Sequence, residues 1–292
     1  MSAPEDDGGV SIAASASERG AERSRSRGSL LADAIGAAKA EGRAALIAYL
    51  PVGYPDVDTS IAAMVAAVEG GADVVEVGVP YSDPGMDGPV IQEAVDVAVR
   101  AGVGMRDVLR AVTAVAEAGA VPVVMSYWNP IERYGVDRFA DDLAAAGGAG
   151  AITPDLIPDE ASAWLAATER TGLDRVFLVA PSSTDTRLAA TAEASRGFVY
   201  AASTMGVTGT RATVGDAAER LVARTRSVTG TAVCVGLGVS SGDQAAEVAA
   251  FADGVIVGSA YVRALLAGEG ADGVRVLSQE LAAGVRRAKV RA

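Results

Sequence analysis

ADVVEVGVPYSDPGMDGP, residues 72–89, begins as a strand and ends as a loop. Its VVEVGV run is β-branched and nearly continuous, the pattern of a strand buried on both faces in a parallel sheet covered by helices. Glu76 interrupts that pattern, because an unpaired ionised carboxylate buried there costs several kcal/mol or takes up a proton instead. Period-2 alternation puts Val74 and Glu76 on one face and Val75 and Val77 on the other. In a closed barrel Glu76 therefore points into the mouth at the strand's C-terminal end, and Asp87 follows on the loop just beyond.

Similar runs recur along the chain. ALIAYL (45–50), DVVEVG (73–78), VPVVMSY (121–127), GAITPD (150–155), RVFLVA (175–180), GFVYAAS (197–203), AVCVGLG (232–238) and DGVIVG (253–258) are strand candidates. Ala-rich amphipathic segments such as TSIAAMVAAVEGG (59–71) and VDRFADDLAAAGG (136–148) lie between them. Eight βα units with such strands predict an α/β fold, a (β/α)8 TIM barrel rather than an open doubly wound sheet. SLLADAIGAAKAEGR, with Ser29 as N-cap, predicts an extra N-terminal helix ahead of the first strand. Residues 1–28 are polar, Ser/Gly-rich and mixed in charge, the composition of a disordered N-terminal tail without the apolar core of a secretion signal. Residues 29–292 then form a single barrel domain.

Composition narrows the chemistry. A net charge of −12 with no basic cluster outside the two ends argues against nucleic-acid binding. The chain has no histidine, and Cys234 is its one cysteine, which excludes an internal disulfide, a conventional zinc site and a Ser/His pair. Acid/base work falls to Asp, Glu, Tyr, Lys or the thiol. No apolar run reaches about 20 residues, so no membrane span is expected and the location is expected to be cytoplasmic.

Barrel enzymes place their sites at the C-terminal strand ends, and polar, Gly and Pro residues gather at those eight points here. Gly209, Gly238 and Gly258 with Ser259 mark the last three loops; each alone fits a tight turn, and together they fit main-chain donors and helix N-termini holding a phosphate. Two carboxylates entering one cleft can be driven to different pKa values, one exchanging protons while the other stays charged. A helix N-cap ahead of PVIQEAV is an equally good reading of Asp87 alone, and a cross-strand salt bridge is the plain reading of Glu76.

VEVGVPYSDPGMDGPVIQ, MSYWNPIERYG, YAASTMGVTGTR, CVGLGVSSGDQ and GVIVGSAYV, in this order, resemble the tryptophan synthase alpha chain family from about Ser29 to the C-terminal helix. The resemblance implies a lyase that cleaves indole-3-glycerol phosphate to indole and glyceraldehyde 3-phosphate. Glu76 matches the family's acid/base glutamate and Asp87 the aspartate that accepts the indole N–H. Tyr200 matches a pocket tyrosine, Thr208 and Gly209 the loop that closes over substrate, and Gly238, Gly258 and Ser259 the phosphate site. Tyr49, Tyr127 and Asn129 fall at pocket and loop positions, and Asp155 at a strand-four aspartate; core aromatics remain an alternative for Tyr49 and Tyr127. The resemblance also implies a beta chain partner in an alpha2beta2 heterotetramer, with pyridoxal phosphate expected only on that partner and no cofactor on this chain.

The chain departs from many relatives at Gly85 and Met86, and from some at Pro51 and Tyr54 and at Thr204 and Met205. A stand-alone lyase releasing free indole and an idle barrel that only activates its partner are the competing readings.

Overall fold

The computed structural model describes residues 28–202, 211–236 and 238–288. The expected tail falls outside the described residues except for Gly28, as do Thr204, Met205, Thr208 and Gly209.

Among the described residues, nine parallel strand segments form one sheet: β1 (Ala45–Pro51), β2 (Val74–Gly78), β3 (Val121–Met125), β4 (Gly150–Ile152), β5 (Asp174–Val176), β6 (Leu178–Val179), β7 (Phe198–Ala202), β8 (Ala232–Gly236) and β9 (Gly254–Val257). Around them run α1 (Leu30–Ala40), α2 (Val57–Glu69), α3 (Pro89–Arg100), α4 (Met105–Glu117), α5 (Trp128–Tyr134), α6 (Val136–Ala145), α7 (Ser162–Thr171), α8 (Asp185–Ala194), α9 (Arg211–Arg226), α10 (Gly242–Ala249), α11 (Ser259–Leu266) and α12 (Gly270–Arg287). At least one helix follows each strand segment except β5, which passes into β6.

The sheet order β5-β4-β3-β2-β1-β9-β8-β7-β6 has its two ends, β5 and β6, separated in the chain only by Phe177. They are halves of the predicted fifth strand. Its first half pairs with β4 and its second with β7, and the Tyr200 N–H donates to the Phe177 carbonyl at 3.1 Å. The division is the stagger that barrel closure imposes on a strand whose two neighbours are offset along it. The fold is therefore the expected eight-stranded barrel.

Side chains sort by strand parity. Ala45, Ile47, Val74, Val123, Val176, Phe198, Cys234 and Ile256 fill the interior, whereas Leu46, Ala48, Val75, Val77, Val233 and Val255 meet the helices. The third and fourth strands stop at Met125 and Ile152, short of the predicted ends, because the residues that follow turn into the loops over the mouth.

The N-terminal helix closes the opposite end, with Leu31, Ile35 and Ala38 packed on the interior cluster. Ser29 caps α1 as expected, its Oγ accepting the Ala32 N–H at 3.0 Å. Asp174, at the start of β5 and 1% exposed, bolts this helix down: its Oδ2 accepts from Ser29 Oγ at 2.9 Å and from the Leu31 N–H at 3.1 Å, while Oδ1 lies 3.4 Å from Arg196 Nε. Replacing Asp174 with Ala strips acceptors from the Ser29 and Leu31 donors. The expected result is a loss of about 2–3 kcal/mol, read as a lower urea midpoint with unchanged slope, and a smaller loss for Asp174→Asn.

Candidate active site

The C-terminal barrel mouth holds a cavity of about 680 Å3. Of the expected site residues, Glu76, Asp87, Tyr49, Tyr200, Gly238, Gly258 and Ser259 all line it. A recess of about 660 Å3 lies at the opposite face beneath α1, among Ser29, Lys39, Arg196, Arg226 and Asp253, and contains none of them.

Glu76 stands opposite Tyr49 on β1 and Val123 on β3. It is 3% exposed, and its Oε2 has no hydrogen-bond partner among the described residues. The salt-bridge reading thus has no support, since none of the ion pairs found includes Glu76. Burial first, then the charge of Asp87, pushes its carboxyl up to about 8 from an ordinary 4.5. At neutral pH it carries its proton.

Asp87 reaches the same cavity from the loop after β2. The cap of α3 is Gly88, without a side-chain bond, so Asp87 does not serve as the N-cap. Burial raises its carboxyl and the hydrogen bond from Tyr127 lowers it, the net direction being upward. Both carboxyls are thus displaced upward, and the large displacement is that of Glu76.

Tyr127 touches Asp87 from outside the cavity lining. Its hydroxyl donates to Asp87 Oδ1 at 3.3 Å and accepts the Met86 N–H at 2.9 Å, and its ring lies 5.5 Å from that of Tyr81. The next residue, Trp128, opens α5 with its N–H on both oxygens of Asp155, at 2.9 and 3.1 Å. Asp155 therefore acts as a cap donated from the loop after β4, and neither it nor the exposed Asn129 lines the cavity. Through Asp155, Trp128, Tyr127 and Asp87, the loops of three consecutive strands are tied together.

Tyr49 is buried in the barrel and Tyr200 partly so, and burial lifts both phenols well above 10 and keeps them neutral. Neighbouring glycines make room for them: a Cβ at Gly78 would stand 2.8 Å from the Tyr49 hydroxyl, and one at Gly236 would stand 2.5 Å from that of Tyr200.

At the far end of the cavity, Gly238 has φ +65, a conformation that requires glycine. Ser240 follows, and Ser241 caps α10 through the Gln244 N–H. Gly258 precedes the eight-residue α11, which opens on Ser259. Gly238 and Ser240 from the loop after β8, and Gly258 and Ser259 at the start of α11, therefore line the cavity from adjacent loops, whereas the Gly242 N–H that opens α10 is taken by Glu280 Oε1 at 2.9 Å. Among the described residues, no cluster of acids and cysteine could hold a metal ion.

The family model described as "Tryptophan synthase alpha chain" matches residues 35–290. The chain belongs to the tryptophan synthase alpha chain family. The alpha chain of Mycobacterium avium is 64% identical over 263 residues, covering 90% of this chain and 97% of the relative. A crystal structure of tryptophan synthase from M. tuberculosis superposes with a TM-score of 0.83 at 61% identity, covering 89% of this chain and 100% of the other. A structure from Aquifex aeolicus matches at 34% identity with a TM-score of 0.82, covering 89% and 100%.

Several residues of this alpha chain site escaped the sequence reading. Ile152, Leu178 and Ile256 are inward positions at strand ends, which period-2 counting identifies once strand limits are known. Arg263 also lines the cavity, one helical turn after Ser259.

Two measurements test the electrostatics. Between pH 4.5 and 8 folded Glu76 binds a proton that the unfolded chain releases, so its contribution to stability falls as pH rises through that window. Glu76→Gln removes this decline, and at pH 9 its urea stability relative to the parent is expected to be up to about 4 kcal/mol more favourable than at pH 4. Tyr127→Phe removes the bond that favours the Asp87 anion, so the Asp87 midpoint in a carbon-13 NMR titration is expected to move upward.

Proposed function

We propose that the chain carries out the alpha reaction of tryptophan synthase, cleaving indole-3-glycerol phosphate into indole and glyceraldehyde 3-phosphate. The observation that carries this reading is one buried, unpaired Glu76 carboxyl, protonated near neutrality, in the same cavity as Asp87 and the glycine-lined far end.

Glu76 gives its proton to C3 of the indole ring, and Asp87 accepts the ring N–H, favouring the cationic indolenine form. The Glu76 carboxylate then takes the proton of the glycerol hydroxyl next to the ring. As that O–H electron pair becomes the aldehyde C=O, the carbon–carbon bond breaks and its electrons return to the ring. Indole leaves neutral and Glu76 is again protonated, so the cycle closes without an outside acid. An acid near pKa 8 suits both transfers. Tyr49 and Tyr200 exclude water, and Tyr127 holds Asp87 in place. Thr208 and Gly209 complete the closing loop, and Gly238, Gly258 and Ser259 grip the phosphate.

The partner is a beta chain in an alpha2beta2 assembly, to which indole passes and on which the pyridoxal phosphate resides; this chain works without a cofactor in the cytoplasm. Met86, 52% exposed on the loop after β2, supports docking at the cavity mouth. Among the described residues no helix is long and apolar enough to cross a membrane.

Purified chain incubated with indole-3-glycerol phosphate is expected to release indole slowly alone and much faster once a beta chain is added, whereas a stand-alone lyase gives equal rates. Glu76→Gln is expected to lower turnover by about 10²–10⁴-fold. Parental turnover in that variant removes Glu76 from the mechanism.

A further inference from the structure

Arg263 is a cation whose position serves no structural end visible in the fold. Eleven other arginines make ion pairs among the described residues, and the Arg263 side chain makes neither an ion pair nor a hydrogen bond there. It is exposed, yet it lines the cavity, and among the described residues it is the sole basic side chain that does so. The other ionisable carboxyl or basic groups among the described lining residues are the acids Glu76 and Asp87.

Helix geometry fixes where its charge can go. Ser259 and Arg263 are four residues apart on α11 and share one face. Helical side chains lean toward the N-terminus of their helix, so the guanidinium is carried back over the first turn, where Gly258 and Ser259 present their donors. The Ser240 side of the cavity faces the same end. A phosphate monoester brings close to two negative charges into a chain of net charge −12 and a cavity that already holds two acids. Main-chain dipoles supply only about half a charge at each helix start. Among the described residues, a full positive charge is what this end otherwise lacks.

We propose that Arg263 is a substrate-binding residue that neutralises the phosphoryl end of the ligand and makes the site selective for dianionic phosphate esters. The assignment rests on the reading of the cavity given above but is separable from it. Because the guanidinium is solvated and unpaired beforehand, no existing ion pair has to break when the ligand arrives. Its fork geometry also permits two parallel hydrogen bonds to phosphoryl oxygens, which a lysine cannot match.

The test compares the full-length parent with Arg263→Gln, Arg263→Lys and, as a charge control on the outer ring, Arg100→Gln. Steady-state indole release is followed with a beta chain present, and binding of inorganic phosphate to each chain alone is measured by calorimetry. Arg263→Gln is expected to raise KM and weaken phosphate binding about tenfold, with the loss falling on KM rather than kcat. Arg263→Lys is expected to fall between, and raising salt is expected to increase KM less steeply in Arg263→Gln than in the parent. Unchanged KM and phosphate affinity in Arg263→Gln, or an equal change in Arg100→Gln, overturns the proposal. Absence of indole release by the parent instead overturns the proposed function, while the phosphate titration still decides the role of Arg263.

Discussion

The site depends on keeping a carboxyl group uncharged inside a closed barrel. Strand alternation forces every second residue of β2 into the interior, and the residue after Val74 on that face is Glu76. With no partner for Oε2, the cheapest response is to hold a proton, and that response produces a usable acid. Burial thus generates the reactivity: the apolar barrel that stabilises the fold sets the pKa of the group at its mouth.

Two buried acids in this chain show how environment separates a structural role from a chemical one. Asp174 and Glu76 are almost equally inaccessible. Asp174 lies at the N-terminal barrel end and receives a hydroxyl, a backbone N–H and a nearby guanidinium, and it holds α1 against the core. Glu76 lies at the other end and receives none of these among the described residues. The contrast agrees with the division of labour between the faces of a barrel, stability below and chemistry above.

Much of this was legible in the sequence, for reasons that can be located. Glu76 was visible because a charge within a β-branched run violates a strong burial pattern, and its facing followed from counting by two. Gly238 was visible because the glycines cluster at loop positions, and its positive φ shows that one of them is there for backbone conformation. Asp155 was legible only by its place after the fourth strand, since its capping role depends on Trp128, 27 residues away. The split of the fifth strand at Phe177 was also hidden, because stagger is a property of the closed sheet. Nothing within RVFLVA marks the residue at which pairing passes from one neighbour to the other. Arg263 was overlooked because an arginine on an amphipathic helix reads as a solvated face until the cavity beside it is known.

The loops above the barrel are joined into a chain of dependence that runs from frame to chemistry. Asp155 fixes the start of α5, which places Tyr127; Tyr127 in turn holds both the Met86 backbone and the Asp87 carboxylate. Asp87 then contributes to the elevated pKa of Glu76 through its charge. A disturbance at the third or fourth loop therefore reaches Glu76 without touching it, by changing where the Asp87 charge sits. By contrast, Gly85 has no contact that a Cβ would violate and no positive φ, so steric demand does not explain a glycine there. The positioning of Asp87 rests on the tyrosine beside it, and the protonation of Glu76 follows in part from how firmly that tyrosine is held.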